Sequence, residues 1–139
     1  MLVGVLLLWM GALSLYDIRQ RRLPNALTLP GAAVILFGAV IAGCGLPALA
    51  GAAALALMYL LVHLAAPAAM GAGDVKLAIG LGALTGCFGV EVWFLAALAA
   101  PLLTALWCLL ATVRRDAAAV PHGPSMCLAS LAAVALAAL

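Results

Sequence analysis

The sequence predicts an all-α fold: a polytopic membrane protein of six transmembrane helices with both termini outside. Three observations lead there. Of 139 residues, 70% are hydrophobic and only 7% charged, whereas a soluble domain carries about a quarter of its residues as charges. Six apolar segments follow one another, separated by Gly/Pro clusters or charges. All six basic residues fall on one side if those segments alternate across a bilayer. This composition excludes a freely diffusing soluble enzyme. A net charge of +2 with no basic stripe argues against nucleic acid as a partner. The lipid bilayer is the expected surrounding, and the abundance of Ala, Leu and Gly suits helices whose backbones pack closely within it.

The first segment, Met1–Tyr16, is apolar but lacks a basic leader and a small-residue cleavage site, so it reads as a membrane helix and not as a removed signal. Arg19, Arg21 and Arg22 separate it from the second, Ala26–Ala42, which Asn25 is placed to cap. The third, Pro47–Ala66, follows the turn Gly43–Leu46. The fourth, Val75–Gly89, opens beside Lys76. The fifth, Val92–Val113, starts at an outer interface marked by Trp93, and Arg114 and Arg115 separate it from the sixth, Pro124–Leu139. A span takes roughly 20 residues, so the first and fourth are short and the sixth marginal. The positive-inside rule puts the loops with Arg and Lys in the cytoplasm. Residues 1–139 read as a single transmembrane domain with no repeat or linker. The four cysteines form no C-x-x-C pair and read as small apolar residues. Cys44 and Cys87 both fall at outer turns, which leaves a disulfide between them open.

Only four residues are acidic. Glu91 and Asp116 read as solvated charges. Asp17 and Asp74 each sit at the cytoplasmic end of a short helix, where a charge at membrane depth costs about 2.5–3.5 kcal/mol. From Met1 to Asp17 the rise is about 24 Å, and from Asp74 to Gly89 about 22 Å, both short of a core about 30 Å thick. The two carboxylates therefore lie at similar depth, which permits a pair. Paired aspartates hold one proton between them, so one can take a proton from water while the other polarises a carbonyl. Gly71 and Gly73 would let a peptide backbone approach and are the candidate substrate-binding residues. The bland alternatives are ordinary ones: Asp74 as a helix N-cap and Asp17 as a residue that ends a helix. Lys76 lies about 200° round the helix from Asp74 and reads as an interface anchor. His63 reads as packing.

Three stretches resemble the prepilin peptidases, membrane aspartic proteases with a Gly-x-Gly-Asp motif. They are "YDIRQRRLPNALTLPG", "GAGDVKLAIGLGALTG" and "PHGPSM", in register at the three predicted inner loops. The resemblance implies that Asp17 and Asp74 are the catalytic pair. It implies removal of a short basic leader from type IV pilin-like precursors at the cytoplasmic face of the cell membrane, with no metal and no other cofactor. The extra cytoplasmic region of larger bacterial members, with its paired cysteines, is missing, so the chain looks like the minimal form of tight-adherence pilus systems, and no methyltransferase activity is expected. His122 stands where the family usually has an aromatic, and reads as a ring-for-ring replacement. A homo-oligomer stays open. The alternatives are a presenilin-like intramembrane protease, whose Pro-Ala-Leu motif should follow Gly-x-Gly-Asp but here precedes it at Pro47–Leu49, and a small ion- or proton-conducting membrane protein. The latter would need a polar path to the outer face, and no acid or His is seen in the outer halves of the helices.

Overall fold

The computed structural model describes residues 2–115 and 119–139. Met1, the expected start of the first segment, and Asp116, read as a solvated charge, lie outside the described residues. Six helices follow in order: α1 Leu2–Gln20, α2 Asn25–Ile41, α3 Gly45–Ala65, α4 Ala72–Cys87, α5 Val90–Val113 and α6 Gly123–Ala137. Among the described residues there is no strand.

Each apolar segment becomes one helix, and the differences lie at the ends. α1 continues through Asp17 to Gln20 and stops at Arg21, which takes φ 50° while its N–H donates to the Asp17 carbonyl at 2.9 Å. α4 begins at Ala72, so Asp74 falls inside its first turn. The expected cap by Asn25 is corrected. Pro24 is the N-cap of α2, in an extended conformation, and no side chain caps this end. The Pro24 carbonyl accepts the N–H groups of Leu27 and Thr28, and Asn25 turns its side chain elsewhere.

The short α4 is the axis of the bundle, packing on α2, α3, α5 and α6. Its inward residues are mostly small: Ala78, Gly80, Gly82, Ala83 and Gly86 are buried together with Leu77 and Leu81. Against α3 the backbones nearly touch. A Cβ added to Gly82 would lie 2.5 Å from the Gly51 carbonyl oxygen, and one added to Gly86 would lie 2.6 Å from that of Pro47. No larger residue fits that approach without moving a helix. Trp93 of α5 donates its indole N–H to the same Gly51 carbonyl at 3.0 Å, so the residue expected at an outer interface is tied to α3.

Large apolar side chains cover the outside. Leu8, Phe37, Leu64 and Leu102 are each exposed over about 70% of their surface or more, an arrangement that water disfavours and lipid tolerates. α3 and α5 are long and apolar enough to cross a membrane, and α2 and α6 are shorter apolar helices.

The turn after α2 depends on Gly43, whose φ of 78° lies in the left-handed region. That turn brings Cys44 to Cys87 at the end of α4, with the Cα atoms 5.4 Å apart, and the two form a disulfide. The expectation of small apolar cysteines thus holds for Cys108 and Cys127, which are free, and fails for this pair.

Candidate active site

Asp17 owes its position to the face of α1 that enters the core. Leu13, one turn earlier, is completely buried, and Asp17 follows it inward with 7% of its surface exposed. A buried carboxylate needs donors. One comes from the far end of the chain: the Gly123 N–H donates to Asp17 Oδ2 at 2.9 Å. α6 begins at Gly123, His122 provides no side-chain cap, and Pro124 has no N–H to give. Asp17 therefore caps α6 from another helix, satisfying an amide the helix leaves open. Gly123 is required at this contact, because a Cβ there would fall 2.6 Å from Asp17 Oδ2.

Asp74 is half-buried in the first turn of α4, above the buried Leu77 and Ala78. Its own N–H donates to the Gly71 carbonyl at 3.1 Å, and its carboxylate faces the Gly71 amide. The helix N-terminus favours a carboxylate there. Asp17 lies within electrostatic reach of Asp74.

Both acids line one cavity of about 490 Å³, together with Gly71, Gly73, Leu23 and Pro24. The two glycines differ. A Cβ on Gly73 would lie 2.9 Å from the Leu23 Cβ, so Gly73 lets the Leu-Pro loop close against α4. Gly71 is exposed, and a Cβ there would meet only ordinary contacts. Its place at the cavity wall keeps backbone accessible. Arg21, Arg22 and Lys76 stand at the same wall. Lys76 Nζ donates to Asn25 Oδ1 at 2.7 Å, which ties the start of α4 to the start of α2. The interface anchor expected from sequence has this specific partner.

Two polar residues of apolar helices, Tyr59 and Thr104, and the N-cap residue of α6, His122, complete the neighbourhood. His122 Nε2 bonds the Tyr59 hydroxyl at 2.9 Å, and its Nδ1 bonds Thr104 Oγ1 at 2.6 Å. The imidazole, expected as a ring-for-ring replacement of an aromatic, makes two hydrogen bonds. Sequence reasoning passed over Tyr59 and Thr104. The available signal was a hydroxyl in an otherwise apolar span, which in a membrane usually finds a partner on another helix. His63, expected to pack, also bonds the Met70 carbonyl at 2.6 Å through Nδ1 and closes the α3–α4 loop. Among the described residues no cluster of three or more His, Cys, Asp or Glu is placed to hold a metal ion.

Two carboxylates from separate helices thus line one accessible cavity of a helical bundle. The sequence profile of the type IV leader peptidase family matches residues 4–114, and the chain belongs to that family. The match spans α1 to α5, with both acids inside it, and stops before the Pro-His-Gly-Pro loop. No curated protein and no solved structure matches the chain.

Proposed function

We propose that residues 1–139 form one transmembrane peptidase domain that removes the short basic leader from type IV pilin-like precursors, using Asp17 and Asp74 as an aspartic pair. The observation that carries this reading is their meeting in one cavity, bordered by Gly71 and Gly73, although they come from opposite halves of the chain. A water held between the carboxylates would lose its proton to the ionised acid and attack the scissile carbonyl, which the protonated acid polarises. Collapse of the tetrahedral intermediate breaks the C–N bond, and the amine leaves with a proton from the pair. Neither a covalent enzyme intermediate nor a metal is needed.

Topology supports the same reading. The Gly123–Asp17 and Lys76–Asn25 bonds and the shared cavity gather the α1–α2, α3–α4 and α5–α6 connections at one end. Arg19, Arg21, Arg22, Lys76, Arg114 and Arg115, the chain's whole basic complement, belong to those connections or the helix ends beside them. The positive-inside rule places that end in the cytoplasm. The opposite end holds the Cys44–Cys87 disulfide, a bond that persists in oxidising compartments. Six spans with both termini outside satisfy both signals. The leader junction of a single-helix precursor would then unwind at the inner interface, where extended backbone is tolerated against protein or water.

The test is cleavage of a pilin-like precursor in membranes by the wild type, Asp17→Asn and Asp74→Asn, each checked for normal expression. Both substitutions are expected to abolish cleavage. Near wild-type cleavage by either one would sink the two-aspartate mechanism.

A further inference from the structure

The bond between Gly123 and Asp17 is built with more care than a loop contact needs. His122 and Gly123 share a peptide unit, so bonds that hold the imidazole restrain the Cα at one end of the plane whose N–H meets Asp17. Proline stands on both sides of it, at Pro121 and Pro124. Both ring nitrogens are held: Nε2 by Tyr59 of α3 and Nδ1 by Thr104 of α5. The Tyr59 ring also lies against the imidazole, with centroids 5.5 Å apart.

Proton accounting makes this a consistent network. Thr104 Oγ1 donates its single proton to the Ala100 carbonyl at 3.1 Å. Its lone pair then accepts Nδ1–H from His122. Nε2 is left as an acceptor, and the Tyr59 hydroxyl donates to it. One neutral tautomer satisfies all three bonds. Tyr59 is buried, Gly123 is buried, and neither can shift without breaking a partner.

We propose that Tyr59, His122 and Thr104 are positioning residues that seat the Gly123 N–H on Asp17 Oδ2 and so hold this carboxylate in register with Asp74. The inference rests on the reading that Asp17 is a catalytic acid. It gives His122 a task beyond filling an aromatic's place, though not one in the chemistry. The bond engages Oδ2 and leaves Oδ1 as the oxygen to meet a water. Misplacement of a reacting group by about 1 Å costs on the order of 100-fold in rate, so loosening the seat affects turnover before it affects substrate binding.

The experiment uses the full chain purified in detergent and the precursor that the wild type cleaves. It compares wild type, Tyr59→Phe, Thr104→Val, Thr104→Ser and the control Asp17→Asn, and measures kcat, KM and unfolding temperature. Tyr59→Phe and Thr104→Val are expected to lower kcat by about 10- to 100-fold, with KM within about twofold. Thr104→Ser keeps the hydroxyl and is expected to keep wild-type kcat. Wild-type kcat in Tyr59→Phe and Thr104→Val would overturn the positioning role while an inactive Asp17→Asn leaves the aspartic reading standing. Equal impairment of Thr104→Ser and Thr104→Val, or unfolding of both network variants where the wild type is folded, would make these residues supports of the fold and overturn the proposal. An active Asp17→Asn would remove the aspartic reading and this inference with it.

Discussion

At the end that carries Cys44 and Cys87, α3 and α4 meet through glycines at backbone distance and a covalent bond closes the gap. At the end that carries Asp17 and Asp74, the connections are longer, polar groups hold them by single hydrogen bonds, and a cavity of about 490 Å³ stays open. The two ends share α4, whose small residues form the first and whose opening turn forms the second. The disulfide end has a groove of its own, of about 580 Å³, but apolar residues such as Pro47, Trp93 and Phe94 wall it, so the polar groups suited to a water and a peptide lie at the end with the two acids. A loose end keeps two carboxylates in register only if the helices that carry them are fixed elsewhere. The glycine packing of α3 on α4 gives α4 that reference, and the disulfide adds to its stability.

Substitutions break this comparison in order of expected size. The largest effect belongs to Asp17→Asn. Asparagine keeps an oxygen for the Gly123 N–H but loses the ionisable group. Cleavage should fall by about 100- to 10,000-fold with little change in unfolding temperature. A large drop in that temperature instead would make Asp17 chiefly a cap for α6. Next comes removal of the disulfide by Cys44→Ser with Cys87→Ser. Its sequence separation is 43, for which loop entropy gives a loss of about 4 kcal/mol. Calorimetry in detergent should show a lower unfolding temperature, while initial cleavage rates at 25 °C stay within about twofold of wild type. A selective loss of kcat in a folded double variant would mean that the two ends are coupled more tightly than this comparison allows.

Gly82→Ala is expected to cost about 1–3 kcal/mol by overpacking, since its Cβ would lie 2.5 Å from the Gly51 carbonyl oxygen. The same thermal measurement checks it, and an unchanged midpoint would show that α3 and α4 have slack. The smallest effect is that of Lys76→Met. Its bond to Asn25 is exposed, so its loss should cost under about 1 kcal/mol and change cleavage less than about threefold. A loss as deep as that of Asp17→Asn would move Lys76 from anchor to chemistry.

The six helices were legible because lengths of apolar run, interrupted by Arg, Gly and Pro, are written in the chain itself. Asp17 and Asp74 were legible for a related reason: an acid in an apolar context is conspicuous, and equal depth on two helices can be counted in residues. The glycines at 71 and 73 stood out, though the need Gly73 meets, room for Leu23, was not visible. The cap on α2 was misassigned because Asn25 looks like a cap locally, while its partner Lys76 lies on a distant helix.

By itself the sequence determined the number and order of the helices, the end on which the basic residues gather, and the two acids worth testing. These follow from local composition and from alternation along the chain. Only the tertiary structure decided that Cys44 meets Cys87, that Asp17 caps α6 at Gly123, and that His122 joins Tyr59 to Thr104. The physical reason is that these helices are apolar on nearly every face. A water-soluble helix announces its inner side by contrast with its polar one, but here lipid and protein interior are alike in polarity. How each helix is rotated is then set by close approach of small residues and by a few hydrogen bonds between distant positions.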